Sequence, residues 1–66
     1  MKILYCVHSN LPHIVEKHQL SPVSRRYYGR KYPWATHFIM TANGICYAIC
    51  DSFEAAAHAM DQFAKL

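Results

Sequence analysis

Five histidines and three cysteines are the residues of this 66-residue chain best suited to chemistry. Their spacing decides which chemistry is open. Cys46 and Cys50 stand four residues apart in ICYAIC, a run that reads as a strand. At ~3.4 Å per residue their Cα atoms lie roughly 13 Å apart. That is too far for two ligands of one tetrahedral zinc with ~2.3 Å Zn–S bonds. Cys6 and His8 share one face of an N-terminal strand and could meet Cys46 or Cys50, with His37, across a sheet. Strand cysteines are more often small core residues than ligands, so neither a metal nor a cofactor is expected. His13, His18 and His58 show no ligand pattern.

A thiol nucleophile is the remaining catalytic idea. Strand pairing sets His37 opposite Cys50, within cross-strand reach, and Cys–His is the minimum pair for an activated thiolate. Cys50 also precedes a helix start, which would lower its pKa. No oxyanion donor or third orienting group accompanies the pair, and with two glycines the chain has no phosphate-cradling loop. A Cys–His enzyme therefore ranks as a remote alternative, and the expectation is a protein that is not an enzyme.

Binding has stronger support. Residues 25–34, RRYYGRKYPW, interleave Arg25, Arg26, Arg30 and Lys31 with Tyr27, Tyr28, Tyr32 and Trp34. The formal net charge is +3, and the chain outside those four cations sums to −1. All the excess positive charge is thus confined to one segment, which points to a partner there. Tyr, Trp and Arg are enriched at protein interfaces. Cations on phosphates and rings on bases are also how single-stranded RNA or DNA is held. A third reading makes Tyr27, Tyr32 and Trp34 core residues and the cations a solvated edge that blocks aggregation. No ribonucleoprotein signature, KH loop or finger spacing marks a nucleic-acid module.

The elements that position these residues are clearest in the C-terminal half. Residues 34–41 and 45–50 read as a β-hairpin, and Asn43-Gly44 between them fits a two-residue type I′ turn. That register pairs Ala42 with Ile45, Met40 with Tyr47, Phe38 with Ile49, and Thr36 with Asp51, all on one bulky apolar face. The other face carries Ala35, His37, Ile39 and Thr41 against Cys50, Ala48 and Cys46. Asp51 with Glu54 has capping-box spacing and opens a helix. Its stripe is Phe53, Ala57, Met60 and Ala64, widened by Ala56 and Phe63, and its outer side pairs Asp61 with Lys65. The helix is expected to pack on Phe38, Met40, Ile45, Tyr47 and Ile49.

Upstream, residues 2–8 read as a strand whose apolar character suits a central position. Ser9 or Asn10 could cap a short helix over residues 11–19, with Leu11, Ile14, Val15 and His18 on one face, although HIVEKHQ also suits an extended strand. Ser21-Pro22 terminates it, and residues 23–32 form an edge strand or ordered loop. The expected fold is α+β: one small domain over residues 1–66, with an antiparallel sheet and a C-terminal amphipathic helix on one face.

With 53% hydrophobic residues the chain is not a disordered tail. No run approaches the ~18 apolar residues of a membrane span, residues 1–7 do not continue into a signal peptide, and an odd cysteine count suits a reducing compartment. A cytoplasmic protein without membrane contact is expected, and an open sheet edge leaves room for a homodimer. In size and in its hairpin-then-helix ending the chain resembles small single-domain proteins of phages and mobile elements. That resemblance implies docking on a host enzyme such as a polymerase, nuclease or CRISPR effector. The leading expectation is a small non-catalytic inhibitor or adaptor that binds a host protein or nucleoprotein complex through Arg25, Arg26, Tyr27, Tyr28, Arg30, Lys31, Tyr32 and Trp34. Direct binding of single-stranded RNA or DNA is the alternative.

Overall fold

Two strands of the chain are apolar on both faces, and these form the middle of the sheet. The computed structural model describes residues 1–6 and 12–65. Its elements are β1 (Ile3–Tyr5), β2 (His13–Glu16), a 3-10 turn (Lys17–Gln19), α1 (Pro22–Lys31), β3 (His37–Met40), β4 (Cys46–Cys50) and α2 (Phe53–Ala64). The four strands run in the order β1-β4-β3-β2, each antiparallel to its neighbour. β3 and β4 are buried almost throughout. The expected α+β sheet with a C-terminal helix on one face is what the chain forms.

Several local expectations are corrected. β1 is an edge strand rather than a central one, with Leu4 and Tyr5 42% and 49% exposed. His8, Ser9, Asn10 and Leu11, with the readings placed on them, lie outside the described residues. The segment that suited either a short helix or an extended strand takes the extended form, as β2 followed by a 3-10 turn. Its β-branched pair Ile14 and Val15 stands opposite Ile39 and Phe38, and each packs into a different core cluster. That two-sided burial favours an extended chain over a helix with one apolar face.

Residues 23–32, read as an edge strand or loop, form most of a helix. Ser21-Pro22 starts this helix. The Ser21 hydroxyl accepts a hydrogen bond from the Ser24 N–H at 3.2 Å, and Pro22 takes the first helical position, where a missing N–H costs nothing. Arg30 and Lys31 in the last turn face the negative end of the helix dipole.

The hairpin register is right at its base and shifted at its tip. His37 pairs with Cys50, Phe38 with Ile49 and Ile39 with Ala48, as the sequence predicts, but Met40 pairs with Cys46. The turn is not a two-residue type I′ turn, because only Gly44 has a positive φ, at 86°. Residues 42–44 form a three-residue loop instead. It is closed by Thr41 N–H to Ile45 O at 2.9 Å and Gly44 N–H to Thr41 O at 3.0 Å. The Thr41 hydroxyl accepts from the Ile45 N–H at 3.0 Å. This is the helical turn plus left-handed glycine common in such loops. The register recovers between Met40 and Ile39 through a β-bulge that leaves Tyr47 as the extra residue.

The bulge also decides what each face carries. Ile39, Ala48, Cys50 and Tyr47 form one cluster with Ala55, Ala56 and Ala59 of α2, with Met60 and Phe63 beside them. The helix therefore packs on the face of small side chains and not on the bulky one. Its inward stripe is Ala55, Ala56 and Ala59, all buried, with Met60 and Phe63 half-buried. Of the expected stripe Ala56, Met60 and Phe63 face the core, whereas Phe53, Ala57 and Ala64 are exposed. Phe53 is left 60% exposed. Three alanines let the helix backbone approach Ala48 and Cys50 closely. Phe63 meets Tyr47 edge-on at 4.9 Å. The N-cap is Ser52 rather than Asp51, its hydroxyl accepting from the Ala55 N–H at 3.1 Å. Lys65 pairs with Asp61 at 3.2 Å, as the spacing predicts. The bulky face holds Phe38, Met40 and Ile49 with Leu20 and Ala35, and α1 covers it.

Candidate functional site

α1 stands on the sheet through its tyrosines. The Tyr28 ring lies 4.7 Å from Phe38 and stacks on Tyr32 at 6.2 Å. Tyr32 meets Trp34 edge-on at 6.1 Å. Tyr28, Tyr32 and Trp34 all pack against the bulky core cluster, and the Lys2 ammonium sits 4.4 Å above the Trp34 ring. These three rings serve the fold. Burial, and then the neighbouring Cys46 thiol, push the Tyr28 phenol up to about 12.

Anchored on that side, the helix turns another set of residues outward. Val23, Arg26, Tyr27 and Arg30 fall at i, i+3, i+4 and i+7 and share one face with Lys31. They line a shallow hollow of about 430 Å³. Val23 is 80% and Tyr27 53% exposed. The Lys31 ammonium donates to the Tyr27 hydroxyl at 3.0 Å and lies 5.4 Å from the Tyr27 ring and 5.8 Å from the Tyr32 ring. The Tyr27 hydroxyl accordingly raises the Lys31 pKa, which keeps that cation charged. No Asp or Glu occurs in the helix.

Of the eight residues singled out in the sequence, Arg26, Tyr27, Arg30 and Lys31 therefore come together on one surface. Tyr28, Tyr32 and Trp34 do not reach it. Arg25 faces elsewhere: its guanidinium donates to the carbonyls of His18 and Leu20 at 2.7 and 2.9 Å and ties the 3-10 turn to α1. Val23 was missed, because it declares itself only when residues 22–31 are read with helical spacing. A second hollow of about 410 Å³ lies between Glu16, Lys17, His18, Arg25, Thr36 and His37. No motif in the sequence announces it, since Glu16 and His37 meet only through the pairing of β2 with β3.

The cysteine chemistry also resolves. His37 does stand opposite Cys50. The Cys50 thiol, however, is fully buried, and burial together with Asp51 pushes it up to about 11. That is the reverse of the lowering expected beside a helix start. His37 Nδ1 lies 2.8 Å from the Thr36 hydroxyl, and its ring meets Phe53 edge-on at 5.9 Å. Among the described residues no three His, Cys, Asp or Glu side chains gather as a metal site would require, and no helix is long and apolar enough to cross a membrane.

Compared with known proteins, the chain matches no family model, no curated protein and no solved structure.

Proposed function

We propose that the protein is a small non-catalytic binding protein, an inhibitor or adaptor, that docks the outer face of α1 on an acidic surface of a partner protein. One observation carries this reading. Val23, Arg26, Tyr27, Arg30 and Lys31 are gathered on an exposed helix face with no acidic neighbour in the helix, and the core is completed by other residues. Anchors at i, i+3, i+4 and i+7 are how a helix lies in a partner's groove. An aromatic ring among arginines is the side-chain mix of interface hot spots. The likeness of architecture to phage and mobile-element proteins suggests a host protein or nucleoprotein complex as the partner, met in the cytoplasm.

A single-stranded nucleic acid is less well served. Non-specific strand binding uses several rings on which successive bases stack, and only Tyr27 among the helix tyrosines projects outward. A pull-down from host lysate, with and without nuclease, separates the two partners. Capture that survives nuclease and is lost in the triple variant R26A/R30A/K31A supports protein docking. Capture that nuclease abolishes overturns it in favour of RNA or DNA.

A further inference from the structure

Beneath α1, on the side of the sheet away from α2, lie three polar groups that the docking face does not use: the thiols of Cys6 and Cys46 and the hydroxyl of Tyr28. The pairing explains why they meet. β1 runs antiparallel to β4, with Leu4 opposite Ile49 and Tyr5 opposite Ala48. One step further, the Cys6 N–H donates to the Tyr47 carbonyl at 2.5 Å. By alternation Cys6 shares the face of Leu4 and Ile49, the face that α1 covers.

Cys46 reaches that face only through the bulge. On a regular strand it would share the face of Ala48 and Cys50 and point toward α2. With Tyr47 as the extra residue it turns over and joins Met40 and Tyr28. Cys6 and Cys46 then become diagonal neighbours on adjacent strands. Opposed Cα atoms ~4.5–5.5 Å apart, offset by one residue of ~3.4 Å, give a separation of roughly 6 Å. That lies within the ~4.4–6.8 Å range of disulfides. The thiols feel each other: burial pushes Cys46 up to about 12, and Cys6 is the next cause. Tyr28 responds to both thiols.

We propose that Cys6 and Cys46 are a redox-modifiable pair, converted by a small disulfide of the glutathione type into an intramolecular disulfide that staples β1 to the β3–β4 hairpin. Both thiols are half-buried, and Cys6, just past the edge strand β1, reacts first because burial holds the Cys46 thiol protonated. The Cys6 thiolate attacks one sulfur of the small disulfide, forming a mixed disulfide and releasing one small thiolate. The Cys46 thiolate then attacks the Cys6 sulfur, closing the protein disulfide and releasing the second small thiolate. The protein's two S–H protons pass through solvent to these leaving groups, so the small disulfide is reduced to two thiols as the pair is oxidised. Cys46 is a poor attacker in free competition, because its thiol resists ionisation. Its proximity to Cys6 makes the second step intramolecular. Cys50 takes no part, since it is buried on the opposite face against α2.

The test is to incubate the full chain with oxidised glutathione, trap remaining thiols by alkylation in denaturant, and map peptides without reduction. The expected product is a monomer lighter by two hydrogens, linked Cys6 to Cys46, with Cys50 alkylated. The variant Cys46→Ser should stop at a stable glutathione adduct on Cys6. The linked wild type should melt on the order of 10 °C higher than the reduced form, as closing a long loop in a small domain implies. A wild type that halts at the Cys6 adduct, links through Cys50 or forms only inter-chain dimers overturns the pair. An unchanged or lower melting temperature overturns the staple. Because the mapping is decided on the wild type, poor folding of Cys46→Ser leaves the test intact.

Discussion

Tyr47 cancels what Gly44 introduces. Gly44, at φ 86°, adds a third residue to the hairpin loop and shifts the pairing by one. Tyr47, as the extra residue of the bulge, restores the register before β3 reaches Ile39. Neither irregularity is tolerable alone, since a one-residue slip would turn every β4 side chain to the wrong face.

Replacing Gly44 by Ala is therefore expected to cost about 1–2 kcal/mol, the penalty of a Cβ in the left-handed region. Nothing else lies within 4 Å of the added atom, so the loss is conformational. Denaturant unfolding should show a lower midpoint with the slope unchanged.

Gly29 predicts the opposite sign. It lies inside α1 with no positive φ, and an added Cβ would meet only the Lys17 side chain, at 4.0 Å. Gly29→Ala should stabilise the protein by about 0.5–1 kcal/mol, as a helix interior favours Ala over Gly. A fall in melting temperature would contradict the helical assignment of residues 22–31.

The outer face of α1 should be separable from the fold. R26A/R30A/K31A is expected to abolish partner capture and leave the helical circular dichroism signal in place. Each substitution is exposed and should change stability by no more than about 0.5 kcal/mol. Tyr28→Ala, by contrast, removes a ring packed on Phe38 and should lower stability sharply, in the range of ~2–3 kcal/mol for a partly buried aromatic.

Alkaline pH should loosen the molecule from within. Cys50 and Cys46 have folded pKa values raised from 9.0 to about 11 and about 12, and Tyr28 from 10.0 to about 12. Between each ordinary value and its raised one the unfolded chain has lost a proton that the folded chain keeps. Stability therefore falls as pH rises. The contribution is whole below about pH 9 and is lost progressively up to about pH 12. Thermal melts across that window should show a steady decline, and Cys50→Ala should flatten its lower part.

The C-terminal half was legible in the sequence because its signals are local. Asn43-Gly44 marked the hairpin, the pairings of Phe38 with Ile49 and His37 with Cys50 were correct, and the last helix and its Asp61–Lys65 pair were placed. The face on which that helix packs was not legible. It depends on a bulge at Tyr47 that composition does not signal, and Ala55, Ala56 and Ala59 fit the small face better than the bulky one. α1 was missed because its tyrosines and Gly29 weaken a helix judged by propensity alone, and because Ser21-Pro22 marks a start as readily as a stop. The basic-aromatic stretch was found as a unit but not divided. Only the helix shows that Tyr28 and Tyr32 hold the core while Arg26, Tyr27 and Arg30 face out.

That division has an evolutionary corollary. The tyrosines that seat α1 and the cations that cover it occupy different sides of one cylinder, so selection can rewrite Val23, Arg26, Tyr27, Arg30 and Lys31 without paying in foldedness. A lineage pressed to follow a changing target would vary these five positions and keep Tyr28, Tyr32 and Phe38 fixed. The same scaffold could then be retargeted in the laboratory by randomising one helix face.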